Sequence, residues 1–161
     1  PSSDRDNFVS MFGLHSYCDA SWLLRSVGGY IVMFAGGPIV WGSKIIKVIC
    51  HSSSEAEISA GCTLGKRSVF VRQFISEFKF SFKGDFIILI DNSAALDLSK
   101  KLGVTTRTAH FLRWQHYLRW LTQHGYVKLV FVGTSDQLAD ILTKVLDVST
   151  FTRFFKLIYV S

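Results

Sequence analysis

Residues 85–91 read Asp-Phe-Ile-Ile-Leu-Ile-Asp, an unbroken apolar run between two aspartates. A run without polar alternation predicts a strand that is buried on both faces, as parallel strands covered by helices are. The segment therefore indicates an α/β domain. In sheets of this class, ligands bind beyond the carboxyl ends of the strands, which is where Asp91 stands.

Three more strands are predicted on the N-terminal side of this segment. They are short, rich in β-forming residues and separated by glycine-rich turns, and they span residues 14–19, 30–34 and 39–43. Because tight turns join antiparallel neighbours, we expect these three strands to form a meander.

Helices are predicted on both sides of residues 85–91. The first begins near Ser52 and ends near Phe78, and residues 52 and 55, or residues 54 and 57, have the spacing of a capping box. The later elements are a short helix from Asn92, a long helix over 106–123 that Gly125 ends, a strand over 127–132 and a helix over 135–144. Residues 146–161 fit either a tail or a further helix.

The order of these elements is β-β-β-α-β-α-α-β-α. It predicts a five-stranded mixed sheet, with three antiparallel strands followed by parallel strands, flanked by helices. We expect residues 1–12 to be a linker or fragment end, residues 13–148 to form the domain and residues 149–161 to form a C-terminal tail.

Composition limits the class of protein and of partner. The chain has 161 residues, of which 48% are hydrophobic, and this suits one globular domain. Its 18 Lys and Arg against 12 Asp and Glu give a net charge of +6, which favours a polyanionic partner but also occurs in domains that bind none. Three cysteines without a C-x-x-C pair argue against a disulfide framework or a zinc site and favour a reducing compartment. No apolar run approaches the roughly 20 residues of a membrane-spanning helix, so no membrane partner is expected.

Four acidic residues stand in, or at the ends of, predicted elements. Asp19 ends the first strand and Asp91 the fourth, and adjacent strand ends would bring both carboxylates together. Their repulsion would be relieved by a divalent cation such as Mg²⁺ or Mn²⁺. Glu57 in the first long helix and Asp140 in the last helix would complete a site for two metal ions about 4 Å apart. Each acid alone also fits an ordinary role as a helix cap or a solvent-facing side chain.

The chain resembles the ribonuclease H domain of Ty1/copia-type retrotransposon Pol polyproteins over about residues 13–148. Six segments carry the resemblance, in the order of the family and at nearly its spacing. They are Tyr17-Cys-Asp-Ala-Ser-Trp22, Gly36-Gly-Pro-Ile-Val-Trp41, Ser52-Ser-Ser-Glu-Ala-Glu57, Ile90-Asp-Asn-Ser-Ala-Ala95, Arg107-Thr-Ala-His110 and Asp136-Gln-Leu-Ala-Asp-Ile-Leu-Thr-Lys144.

The resemblance implies a ribonuclease H-like fold and cleavage of the RNA strand of RNA–DNA hybrids during reverse transcription, with two Mg²⁺ or Mn²⁺ ions. It also implies the reverse transcriptase domain of the same polyprotein as a partner, and a location in a cytoplasmic retroelement particle or in the nucleus. By motif match, the catalytic and metal-binding residues are Asp19, Glu57, Asp91 and Asp140. Glu55 is the alternative to Glu57.

Several residues depart from the pattern of the family. The turn between Trp22 and Gly29 is short, Ser21 stands where a second aspartate is common, and Ala109 replaces a charged residue. Residues 127–140 contain no histidine to assist the leaving group. These departures bear on rate and substrate preference more than on metal binding.

Candidate substrate contacts lie beside the acids and on the long basic helix. They are Asn92, Ser93, Arg107, His110 and Arg113. The helix carries His116 and Arg119 as well, and a solvated basic face explains the same pattern. Two other functions stay open: a catalytically silent ribonuclease H-like structural or interaction module derived from a retroelement, and a nuclease or transposase-like enzyme that acts on DNA.

Overall fold

A computed structural model describes residues 13–79, 85–100 and 111–159. Five strands form one sheet in the order β3-β2-β1-β4-β5. They are β1 His15–Ser21, β2 Val27–Phe34, β3 Gly37–Ile45, β4 Ile87–Ile90 and β5 Lys128–Phe131. The first three strands pair antiparallel, whereas β4 pairs parallel with both β1 and β5. The predicted mixed sheet is therefore confirmed, and β1 and β4 are neighbours as expected.

Four α-helices lie within the described residues. They are α1 Ser53–Glu77, α2 Ser93–Lys100, α3 Leu112–Gln123 and α4 Val148–Tyr159. Ser52 is the N-cap of α1, since the Glu55 N–H donates to Ser52 Oγ at 3.3 Å, and the Glu55 side chain accepts from the His51 N–H instead of closing the predicted capping box. Gly125, with φ of 68°, follows α3 as predicted. Residues 106–110 of the predicted long helix lie outside the described residues.

The main core lies between the sheet and the helices α1 and α3. Two glycines of α1 face α3, and a Cβ atom at Gly65 would lie only 2.7 Å from Leu121 Cδ1. A Cβ atom at Gly61 would lie 3.4 Å from Leu118 Cδ1, beside Cys18 of β1. The small residues therefore allow α3 to pack closely against α1 directly above the strand that carries Asp19.

The helix predicted over residues 135–144 is wrong. Two short 3₁₀ segments, Thr134–Asp136 and Leu138–Leu142, replace it. Between them Gln137 has an extended backbone, with φ of −80° and ψ of 91°. Its side chain is fully buried and donates from Nε2 to the Cys18 carbonyl at 2.9 Å. This bond holds the segment against β1, so the chain cannot continue as a regular helix.

The C-terminal residues cover the other face of the sheet. A second, smaller core joins Ile31 and Met33 of β2 to Leu138 and to Phe154 and Ile158 of α4. The segment that the sequence left between a tail and a helix is thus a helix with a buried side. The division into residues 1–12, 13–148 and 149–161 stays a prediction. Within the described part of the chain, no helix is both long and apolar enough to cross a membrane.

We expect Gln137→Met to lower the free energy of unfolding by about 1–3 kcal/mol, because it leaves the buried Cys18 carbonyl without its donor. Urea denaturation of the parent and the variant measures this loss. Gln73→Met, on an exposed position of α1, is the matched control and should change stability by less than about 0.5 kcal/mol. An equal effect of the two substitutions would show that the bond does not stabilise the fold.

Candidate metal centre

Three carboxylates meet at the carboxyl ends of β1 and β4. One oxygen each from Asp19, Glu57 and Asp91 lies within 4.8 Å of the other two. Asp19 belongs to β1, Asp91 follows β4, and Glu57 is on the N-terminal part of α1. Because β1 and β4 run parallel, their ends face the same edge, and α1 begins above that edge. We call these three residues the carboxylate cluster.

Glu57 is held in the cluster by the end of β1. The Ala20 N–H donates to Glu57 Oε1 at 3.1 Å, whereas Oε2 is buried and receives no hydrogen bond from the described residues. Burial and then the charge of Asp19 raise the pKa of Glu57. Glu55 has a different role, since its Oε2 accepts from the His51 N–H at 2.5 Å. The structure thus brings Glu57, and not Glu55, to the two aspartates.

Asp19 and Asp140 are linked by the residues at the end of the second 3₁₀ segment. Lys144 Nζ lies 3.1 Å from Asp19 Oδ1 and 2.9 Å from Asp140 Oδ1, and the Thr143 hydroxyl donates to Asp19 Oδ2. Asp140 therefore joins the cluster through Lys144. Its oxygens are not among the three that lie within 4.8 Å of one another.

Asp91, Asp140 and Lys144 all have pKa values raised above their ordinary values. Burial, opposed by the hydrogen bond from Lys144, raises the pKa of Asp140 to about 6. Burial and the charge of Asp19 raise the pKa of Asp91. Burial opposes the charged form of Lys144, but Asp140 and Asp19 outweigh it and raise the pKa of this ammonium well above its ordinary value. Burial is thus the largest cause of the raised carboxyl pKa values, and the charges of neighbouring carboxylates add to it.

The residues of the cluster fit a hard divalent cation. All of the donor atoms are carboxylate oxygens, which Mg²⁺ and Mn²⁺ prefer. The buried Glu57 Oε2 is an acceptor without a partner among the described residues, and a cation would satisfy it. Asp19, Glu57 and Asp91 therefore have the composition and spacing of a metal site.

The cluster opens into a cleft of about 690 Å³ that Asn92 and Ser93 also line. Asn92 Oδ1 accepts from the Ala95 N–H at 2.9 Å and from Ser54 Oγ at 3.4 Å, so the side chain caps α2 while its amide nitrogen stays a donor. Ser93 is exposed beside it.

The structure describes only part of the basic segment that was predicted as a helix over 106–123. Arg113 is exposed on α3 but does not line the cleft, and Arg119 is buried. Arg107 and His110 lie outside the described residues.

Three residues that contact the site were not predicted from the sequence. Gln137 binds β1, and Thr143 and Lys144 bind Asp19. All three lie in the segment 136–144 that carried the family resemblance. The spacing of that segment was the available signal, but it could not show which of its side chains turn inward.

Solved structures with similar folds include ribonucleases H. RNase H1 from the halophilic archaeon Halobacterium salinarum NRC-1 has a TM-score of 0.60 at 18% identity, over 81% of this chain and 93% of that one. LC11-RNase H1 in complex with an RNA/DNA hybrid has a TM-score of 0.57 at 13% identity, over 81% and 94%. The foamy viral protease-reverse transcriptase in complex with an RNA/DNA hybrid has a TM-score of 0.59 at 15% identity, over 82% and 19%. The chain thus has the ribonuclease H fold.

No model of a known protein family matches the chain, but curated polyproteins do. The retrovirus-related Pol polyprotein from transposon TNT 1-94 of Nicotiana tabacum is 32% identical over 121 residues, 75% of this chain and 9% of that polyprotein. The one from transposon RE1 of Arabidopsis thaliana is 33% identical over 146 residues, 88% of this chain and 10% of that polyprotein. The chain is therefore a ribonuclease H-like domain homologous to one segment of Ty1/copia-type Pol polyproteins, and it spans about a tenth of their length.

We expect the metal-free protein to lose stability, relative to Glu57→Gln, as the pH rises from about 5 to about 8. The folded state holds the Glu57 proton more tightly than the unfolded chain, in which the pKa is about 4.3. The stabilisation is therefore full below that value and is lost as the pH approaches the raised pKa, by at most about 1.4 kcal/mol per pH unit.

Urea denaturation in EDTA at several pH values measures the difference between the parent and Glu57→Gln. Glu77→Gln, at the exposed end of α1, is the matched control and should track the parent at every pH. A pH-independent difference between the parent and Glu57→Gln would mean that Glu57 titrates alike in both states.

Proposed function

We propose that this domain hydrolyses the RNA strand of RNA–DNA hybrids with the aid of divalent metal ions, as a step of retroelement reverse transcription. The observation that carries the proposal is the carboxylate cluster, in which β1, α1 and β4 each contribute one acid to a single cleft. Two structural neighbours bound to RNA/DNA hybrids support the choice of substrate.

Asp19, Glu57 and Asp91 would hold the metal, with Asp140 as the fourth residue and two Mg²⁺ or Mn²⁺ ions as the full complement. When bound, such ions supply an activated water and neutralise charge on the phosphodiester. The chain itself fixes the acids: the Ala20 N–H orients Glu57, and the Thr143 hydroxyl orients Asp19. This order, set before substrate arrives, keeps the reorganisation during the reaction small.

The substrate contacts follow from the lining of the cleft. Asn92 and Ser93 lie beside Asp91 and would donate hydrogen bonds to phosphate or 2′-hydroxyl oxygens. Arg113 is exposed on α3 and would contact the backbone farther away, and Arg107 and His110 stay proposed contacts on the same basic segment. Such contacts bind a hybrid by its shape and charge rather than by its base sequence.

The polyprotein homology supports a partner and a place for the domain. In a Pol polyprotein, the reverse transcriptase domain would produce the hybrid that this domain degrades. We propose that domain as the partner, and a cytoplasmic retroelement particle, or the nucleus, as the location.

A catalytically silent module is the second candidate, and one observation favours it. The ammonium of Lys144 already lies between Asp19 and Asp140, so part of the negative charge is neutralised by the chain itself. A silent module would show no stabilisation by millimolar Mg²⁺, whereas an enzyme would.

We expect Asp91→Asn to lower the cleavage rate of a labelled RNA–DNA hybrid in Mg²⁺ by at least about 100-fold, the scale of losing one electrostatic stabiliser of the transition state. The circular dichroism spectrum should stay that of the parent. Asp85→Asn, at an exposed position two residues before β4, is the matched control and should cleave normally.

Retained cleavage in the folded Asp91→Asn protein would contradict the site. Duplex DNA of the same sequence, tested in parallel, should stay intact. Its cleavage in preference to the hybrid would point to a DNA-directed nuclease on this fold.

A further inference from the structure

A second cavity, of about 360 Å³, lies on the α1 side of the sheet where β2 and β3 meet the loop after β3. It shares no lining residue with the cleft of the carboxylate cluster. Its walls come from Gly28 to Tyr30, from Gly42 to Val48, and from α1, with Trp114 of α3 at one side. We call this cavity the basic groove.

The charge of the basic groove is of one sign. Lys44, Lys47 and Arg67 line it and are all exposed, and no acidic residue lines it. Among the residues that the structure describes, no ion pair joins any of these three side chains to a carboxylate. Three uncompensated cations around one concave surface favour an anionic ligand.

The basic groove is also lined by polar side chains. The Tyr30 hydroxyl lies over Gly42, where a Cβ atom would be only 2.9 Å from Tyr30 Oη. Any larger residue at position 42 would push this ring away from its place in the groove. Ser59 and Thr63 lie one turn apart on α1, and the Thr63 hydroxyl donates to the Ser59 carbonyl at 3.0 Å.

The separation between the basic groove and the carboxylate cluster follows from the strand pairing and from the length of α1. Lys44 pairs with Gly28, and Gly28 pairs with Ala20, whose N–H donates to Glu57. Two steps between strands span about 10 Å. Along α1, Arg67 follows Glu57 by ten residues, a rise of about 15 Å.

These distances match the reach of one duplex. Double-stranded DNA carries one backbone charge per about 1.7 Å of its axis, and at a similar spacing a hybrid has about six to nine phosphates along 10–15 Å of axis on one side of the scissile position. A duplex held at the cluster would thus present phosphates at the distance of the groove.

We propose that the basic groove binds backbone phosphates of the same hybrid duplex whose RNA strand lies at the carboxylate cluster. The proposal rests on the proposed function. Arg67 would bind a phosphate through its guanidinium fork, and Lys44 and Lys47 would act as point charges. Because these contacts read only the backbone, they add affinity without sequence preference.

The test is the salt dependence of binding to a fluorescein-labelled RNA–DNA hybrid, measured by fluorescence anisotropy in EDTA to prevent cleavage. Each phosphate contact contributes about 0.9 to the slope of log Kd against log salt concentration. The double variant Lys47→Ala/Arg67→Ala should therefore reduce this slope by about 1.8.

Lys128→Ala/Lys156→Ala is the matched control, because it removes the same charge from exposed positions of β5 and α4. It should keep the slope of the parent. This result would show that the groove variant changes the slope through lost local contacts and not through lower net charge. A folded groove variant that keeps the parent slope would overturn the proposal that the basic groove binds phosphates. If the parent cleaves the hybrid in Mg²⁺, the proposed function would still stand.

A parent that neither binds the hybrid at low salt nor cleaves it in Mg²⁺ would overturn both proposals. Poly-glutamate is the competitor that tests for an acidic protein as the ligand. Displacement of the hybrid by poly-glutamate at equal charge concentration, abolished in the groove variant, would overturn the assignment to nucleic acid.

Discussion

The repulsion among Asp19, Glu57 and Asp91 is the constraint on which this end of the molecule depends. One oxygen from each lies within 4.8 Å of the others, and Asp19 and Glu57 are buried, where water screens little of their charge. The protein offsets the repulsion in part, with the Ala20 N–H on Glu57 and with Lys144 and Thr143 on Asp19. Burial and then the charge of Asp19 raise the pKa of Glu57, so its charged form stays disfavoured in the folded protein. A bound cation would offset the remaining repulsion, and this would connect the folding of this edge to the chemistry proposed for it.

Packing between distant parts of the chain holds the three carboxylates of the cluster together despite their repulsion. Parallel pairing of β1 with β4 sets the ends of the two strands side by side, and Gly61 and Gly65 allow α3 to press α1 down over β1. From the opposite face, the buried Gln137 fixes the segment that delivers Lys144. Lys144 has two consistent roles: it stabilises the protein without metal, and it links Asp140 to the cluster. The same ammonium would compete with a metal ion for Asp19.

The sequence was sufficient for those features that local patterns determine. The apolar run before Asp91 predicted a buried parallel strand, and the serines before Glu55 predicted the start of α1. The meander followed from its glycine-rich turns. The family resemblance supplied the acids, of which the structure brings Asp19, Glu57 and Asp91 directly together. Local patterns cannot decide between Glu55 and Glu57, because either glutamate fits a capping box until the position of β1 is known.

The features that the sequence missed depend on partners far along the chain. Gln137 and Cys18 are 119 residues apart, so no local signal could show that their bond replaces a helix with two 3₁₀ segments. The contact of Lys144 with Asp19 spans 125 residues and was missed for the same reason. The basic side chains of α3 show the same limit, since Arg113 is exposed and Arg119 is buried although the two lie on one short helix.

The central claim is that the carboxylate cluster is a metal site. Anomalous diffraction from a crystal soaked in Mn²⁺ tests it most directly, because the signal locates the ion without reference to activity. The account predicts a peak within about 2.0–2.3 Å of carboxylate oxygens of Asp19, Glu57 and Asp91. Well-ordered density for Lys144 between Asp19 and Asp140, with no anomalous peak at the cluster in millimolar Mn²⁺, would contradict it.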